Sequence, residues 1–170
     1  TLEEIAGEKA GIIKPNTPVV ISETNSITAP IFEAKAKLED APIIFADQEI
    51  TAFRLEKDAL VQRIQIEKAS ETKEYKLDLT GSYQVKNIVG VLAVIDQIRD
   101  KGFAISAEQL SHALANVQKL TGFQGRWQTL STDPLIICDT GHNEDGIKEV
   151  IKNLREVSYQ NLHIVIGAMK

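Results

Sequence analysis

Asp139-Thr140-Gly141-His142-Asn143 brings an acid, an imidazole and an amide together within five residues. The stretch follows the apolar run Pro134 to Cys138 and precedes a helical segment, Glu144 to Val157. A buried strand, a tight polar turn and a helix form the place where α/β proteins hold ligands. The turn lies at the carboxyl end of a strand, beside free helix N–H donors. Such a turn suits a phosphorylated or carboxylated ligand. Arg126 stands thirteen residues upstream. A tight hairpin turning at Thr132-Asp133 sets Arg126 opposite Asp139. That pair could hold a nucleotide, the guanidinium neutralising phosphate and the acid taking a ribose hydroxyl or ordering the arginine. A structural ion pair at a sheet edge gives the same pattern. Asn143 reads most simply as a helix N-cap. His142 reads either as a ligand contact or as an exposed turn histidine.

Three further residues could carry chemistry. Lys9 lies in Gly7-Glu8-Lys9-Ala10-Gly11. A partly buried lysine amine of depressed pKa can react with carbon dioxide, and the carbamate adds an oxygen ligand for a metal ion. A solvated helix lysine is the plain alternative. Gln84 and Asn87 are three apart on one helix face, with Asn87 half buried at the head of an apolar run. A buried amide needs a partner, which a purine edge or a backbone carbonyl supplies equally well. The single cysteine, Cys138, reads as a small core residue. There is no GxxxxGK[ST] phosphate loop, zinc spacing or nucleophile elbow.

The elements that must position these groups follow from periodicity. Thr1-Leu2-Glu3-Glu4 is a capping box opening a helix to about Ala10, with Gly11 as its stop. Lys14 to Thr17 is a turn. Pro18 to Ser22 and Pro42 to Ala46 are short buried strands around an amphipathic helix, Thr28 to Asp40, which predicts a parallel, right-handed unit. Ile50 to Leu55, Leu60 to Glu67 and Lys73 to Leu79 alternate apolar and polar residues, as an antiparallel meander with one wet face does. Ser82 to Lys101 is a long helix, apolar from Ile88 to Ile98 and so expected to be buried. Ser106 caps a further helix to about Leu120. Thr121 to Gly125 reads as a linker. Beyond it lie a strand (Arg126 to Leu130), a turn (Ser131 to Pro134), a strand (Leu135 to Cys138), the Asp139 turn, a helix and a last strand at Ile164 to Ile166.

Composition bounds the function. A net charge of −5 gives no footprint for nucleic acid, and no apolar run spans a membrane. With no signal-peptide pattern, a cytoplasmic location is expected. The chain opens inside a helix and stops just after an apolar run, which reads as an internal fragment, inactive by itself.

Four motifs in order carry a resemblance. Ile5-Ala6-Gly7-Glu8-Lys9-Ala10-Gly11-Ile12-Ile13-Lys14-Pro15 resembles the IAxEKAGIxKP signature of the folylpolyglutamate synthase and dihydrofolate synthase family, within the Mur ligase superfamily. Gln84-Val85-Lys86-Asn87 resembles its QxxN, Gly125-Arg126-Trp127-Gln128 its GRxQ, and Asp139-Thr140-Gly141-His142-Asn143 its DxAHN. Thr140-Gly141 departs mildly from the usual small pair, and Phe123-Gln124 lengthens the stretch from Asn87 to Arg126.

The resemblance implies an α/β fold. Residues 1–121 would be the second half of a P-loop-type ATPase domain, with parallel strands, an antiparallel meander and helices. Residues 122–170 would be the truncated start of a Rossmann-like C-terminal domain. It implies ATP and Mg2+ as cofactors, with folate or dihydropteroate and L-glutamate as small-molecule substrates and a monomeric parent. Lys9, as its carbamate, would help hold magnesium. Asn87, Arg126 and Asp139 would bind ATP, and His142 would place the incoming glutamate. The phosphate loop, the other metal ligands and the folate-site loops lie upstream in family members. Two other readings stay open: a Mur-type ligase acting on another acid, and a non-catalytic α/β binding module.

Overall fold

The computed structural model describes residues 1–167. Helix α1 (Leu2–Ala10) opens on the expected capping box: Thr1 Oγ1 accepts from the Glu4 amide, and Glu4 reaches back. Its end differs from expectation. Gly11 is right-handed (φ −58°), so it is not a left-handed stop. The amides of Ile12 and Ile13 instead turn in to the carbonyls of Lys9 and Ala10, tightening the last turn before Pro15. Strands β1 (Val19–Ile21) and β2 (Ile43–Phe45) pair in parallel, Val19 opposite Ile43, with helix α2 (Ala29–Leu38) as the crossover. Ala10, Ile13, Ala36 and Ala41 form a small core between α1, α2 and this pair.

A short 3-10 turn (Ala46–Gln48) leads into the meander of β3 (Ile50–Lys57), β4 (Gln62–Lys68) and β5 (Glu71–Leu77). Ile50, Ile64, Ile66 and Leu77 point inward against Ile88, Val89 and Leu92 of α3 (Gln84–Asp100), as their alternation requires. Helix α3 is less buried than its apolar run suggested. One sheet covers one face, leaving Val91 and Val94 43% and 42% exposed. The next helix also breaks in two. Helix α4 (Ala107–Leu114), with its Ser106–Gln109 capping box, is followed by α5 (Val117–Thr121). Asp78 causes the break: its Oδ2 accepts from the Gln118 amide at 2.8 Å, capping α5 from the end of the meander.

Gly122 and Gly125 are left-handed (φ 67° and 74°) and turn the chain into a hairpin of β6 (Gln128–Thr132) and β7 (Leu135–Cys138), followed by α6 (Glu144–Arg155). The expected strand at Ile164 to Ile166 is absent among the described residues. No strand edge pairs with it, and Val165 is 98% exposed. Residues 168–170 lie outside the described residues. The described residues are thus mixed α/β, with one parallel pair, one meander and one hairpin. Polar contacts join the hairpin and α6 to the rest. Asn153 Oδ1 accepts from the Ser82 amide at 2.9 Å, and Glu156 pairs with Arg54 at 2.9 Å and Lys57 at 3.3 Å. Among the described residues no helix is long and apolar enough to cross a membrane.

Candidate functional site

The hairpin register decides what faces Asp139. The turn is at Asp133-Pro134, one position later than expected, and a bulge between Thr129 and Ser131 moves the register back by one, to Gln128 opposite Cys138. Trp127, not Arg126, therefore meets Asp139: its amide donates to Asp139 Oδ2 at 2.7 Å. Trp127 takes a left-handed backbone (φ 49°) to do so, which costs on the order of 1–3 kcal/mol. Its ring is 4% exposed, with the Lys57 ammonium 5.6 Å from the ring centre. Asp139 Oδ1 accepts from the Gly141 amide at 2.7 Å. Among the described residues Arg126 and Asp139 form no ion pair, contrary to expectation; the Arg126 guanidinium instead donates to Thr140 Oγ1. Thr140 Oγ1 in turn donates to the Gly125 carbonyl at 2.9 Å. Gly125 has no substitute here, since a Cβ would stand 2.6 Å from Thr140 Cγ2 on a left-handed backbone.

A residue the sequence reading missed completes the turn. The Tyr83 hydroxyl donates to Asp139 Oδ2 at 3.2 Å. Burial, then the neighbouring Asp139 charge, pushes the phenol pKa well up, so it remains a donor. A signal was present in the sequence: Tyr83 immediately precedes Gln84-Val85-Lys86-Asn87, at a cap position where a tyrosine serves no capping purpose.

Asn143 caps α6 as expected, its Oδ1 accepting from the Gly146 amide at 2.8 Å. His142 is exposed, with Nδ1 3.1 Å from the Thr140 carbonyl. A carbonyl only accepts, so Nδ1 is the donor in this contact, and Nε2 has no hydrogen bond among the described residues. Asn87 is exposed rather than half buried. Its amide donates to Gln84 Oε1 at 2.9 Å, and Gln84 takes the buried place. Asn87 sits one turn after Tyr83, whose hydroxyl reaches the Asp139 turn; Arg126 and His142 both contact Thr140 of that turn. Lys9 is not drawn into it. Its side chain is exposed rather than partly buried and makes no ion pair among the described residues. No cluster of three acidic, histidine or cysteine side chains among the described residues could hold a metal ion.

Residues 125–170, which contain Arg126 and the whole Asp139 turn, match the Mur ligase, glutamate ligase domain. A Haloferax volcanii protein named a probable bifunctional folylpolyglutamate synthase/dihydropteroate synthase is 28% identical over 99% of this chain and 20% of its own length. A Bacillus subtilis dihydrofolate synthase/folylpolyglutamate synthase is 27% identical over the full chain and 39% of its own length. A solved structure titled as a complex of a folylpolyglutamate synthase with AMPPCP and folate is 25% identical, with a TM-score of 0.80 over 94% of this chain and 38% of the other. This match and these relatives make the chain similar to members of the Mur ligase superfamily. Within it, the likeness runs to proteins named as folylpolyglutamate synthases. The chain spans about two fifths or less of the length of these relatives.

Proposed function

We propose that the whole protein is an ATP-dependent ligase that adds L-glutamate to folates, or to dihydropteroate. The reading is that a folate-side carboxylate oxygen attacks the γ-phosphorus of ATP, releasing ADP and leaving an acyl phosphate. The glutamate amine then attacks the acyl carbon, and inorganic phosphate leaves. Residues 1–121 would be the later part of the ATPase domain and residues 122–170 the start of the glutamate ligase domain. The match at residues 125–170 supports the second of these.

The observation that carries the reading is the Asp139 junction. Oδ2 is filled by two protein donors and Oδ1 by one, which leaves Oδ1 a single acceptor site, enough for one ribose hydroxyl. The Arg126 guanidinium lies on the same turn and can meet phosphate. The exposed Asn87 amide stands at the start of α3, where a purine edge can replace or extend its bond to Gln84. These groups fit a nucleotide. His142 would receive the incoming glutamate through Nε2, its Nδ1 being held by the Thr140 carbonyl. Magnesium would neutralise charge on the transferring phosphoryl group. Lys9, as a carbamate, would supply one of its oxygens, and the described residues hold no further ligand set. A cytoplasmic monomer remains part of this proposal.

The test is glutamate-dependent ADP release by the full-length protein with folate substrates. Release above background with at least one folate is expected; none with any folate sinks the proposal. In the same protein, Asp139→Ala should raise the ATP requirement. An unchanged requirement removes Asp139 from the site.

A further inference from the structure

Tyr83 occupies the N-cap position of α3, yet its side chain caps nothing. Its ring folds back over Gly81 instead: a Cβ there would stand 2.8 Å from Tyr83 Cε1 and Cζ. That fold sends the hydroxyl to Asp139, fifty-six residues away in sequence. The segment is held from the other side as well. The Ser82 amide donates to Asn153 and the Ser82 hydroxyl to Glu149, at 2.9 and 2.8 Å. The start of α3 is thus tied to both the Asp139 turn and α6.

The consequence for Asp139 is geometric. A carboxylate on a short side chain can rotate about its Cβ–Cγ bond. Oδ2 is pinned at two points, by the Trp127 amide and the Tyr83 hydroxyl. With Oδ1 held at a third by Gly141, the remaining acceptor site has a fixed direction. Trp127 and Gly141 lie within the hairpin and its turn. Tyr83 alone among the three belongs to the helix that carries Asn87. We propose that Tyr83 is a positioning residue for nucleotide: it aims Asp139 and sets its distance from Asn87. The proposal rests on the nucleotide-site reading above.

The experiment measures AMPPCP binding by calorimetry, with the KM for ATP and kcat, on the full-length protein. Tyr83→Phe is expected to weaken AMPPCP about tenfold, the scale of one hydrogen bond to a charged group, with a similar rise in KM and kcat within about twofold. A merely structural role would lower kcat and melting temperature together and leave KM in place, and that outcome overturns the proposal. On an Asp139→Ala background, Tyr83→Phe should add little, because the bond it removes is already gone. A full tenfold loss there also overturns it. Tyr83→Leu, which removes the donor together with the ring, is the second variant should the phenylalanine form not fold; undiminished AMPPCP binding by it counts against the proposal. Wild-type protein that binds no AMPPCP defeats the nucleotide reading and this inference together. Wild-type binding matched by Tyr83→Phe defeats this inference alone.

Discussion

Replacing Asn153 by alanine should separate α6 from the start of α3. Asn153 is fully buried. Its Oδ1 accepts from the Ser82 amide at 2.9 Å and from Lys57 Nζ at 3.3 Å, and its Nδ2 donates to the Glu149 carbonyl at 2.9 Å. Truncation leaves the Ser82 N–H, on a residue 8% exposed, with no acceptor among the described residues. An orphaned buried donor costs about 1–3 kcal/mol. Lys57 keeps Glu156 as a partner, so its loss is smaller. Adding the small void left by the amide, the total comes to about 2–4 kcal/mol. For a unit of this size that lowers the melting temperature by about 5–15 °C. Hydrogen exchange at the Ser82 amide is the local readout, since that proton loses its acceptor. An unchanged melting temperature with undiminished Ser82 protection would refute the role given to Asn153.

Acid should loosen the same junction. The hydrogen bond from Arg54, followed by the Arg54 and Lys57 charges, holds the Glu156 carboxyl below its ordinary value of 4.5. A carboxylate depressed on folding stabilises fully above its unfolded pKa, and that stability is lost as pH falls through the lower folded value. Melting temperature followed from pH 7 down to pH 3 should therefore fall less steeply in Glu156→Gln than in wild type, and parallel curves would count against the pairing. Gly90→Ala should destabilise, although alanine favours helices. Its Cβ would lie 2.0 Å from Ser22 Oγ and 2.9 Å from Ser22 Cβ, so the cost is overpacking of about 1–3 kcal/mol, and Ser22→Gly should recover part of it in a melting assay. Gly125→Ala should abolish measurable AMPPCP binding by the full-length protein, because it pushes Thr140, and with it Arg126, off the turn. Binding at wild-type strength would show that the Gly125 backbone does not set the site.

Local chemistry was legible in the sequence wherever partners are close along the chain. The capping boxes at Thr1 and Ser106 and the Asn143 cap each need a side chain and an amide within three residues, so type and spacing suffice. The meander and the β6–β7 hairpin were likewise readable, because alternation reports a sheet with one buried face. The order of the four motifs also needed no coordinates. Tertiary structure decided the partners. A turn one position later than expected would set Gln128 opposite Asp139, and a one-residue bulge near Leu130 returns the register to Trp127; no local propensity encodes that combination. Asn87 and Gln84 are both amides at the head of α3, and packing alone determined that Gln84 is buried while Asn87 faces solvent. Asp78 split one expected helix in two from forty residues away. Tyr83 shows the same division. Its place just before Gln84-Val85-Lys86-Asn87 was visible from sequence, but its bond to Asp139 spans fifty-six residues, and only the fold brings those two side chains within 3.2 Å.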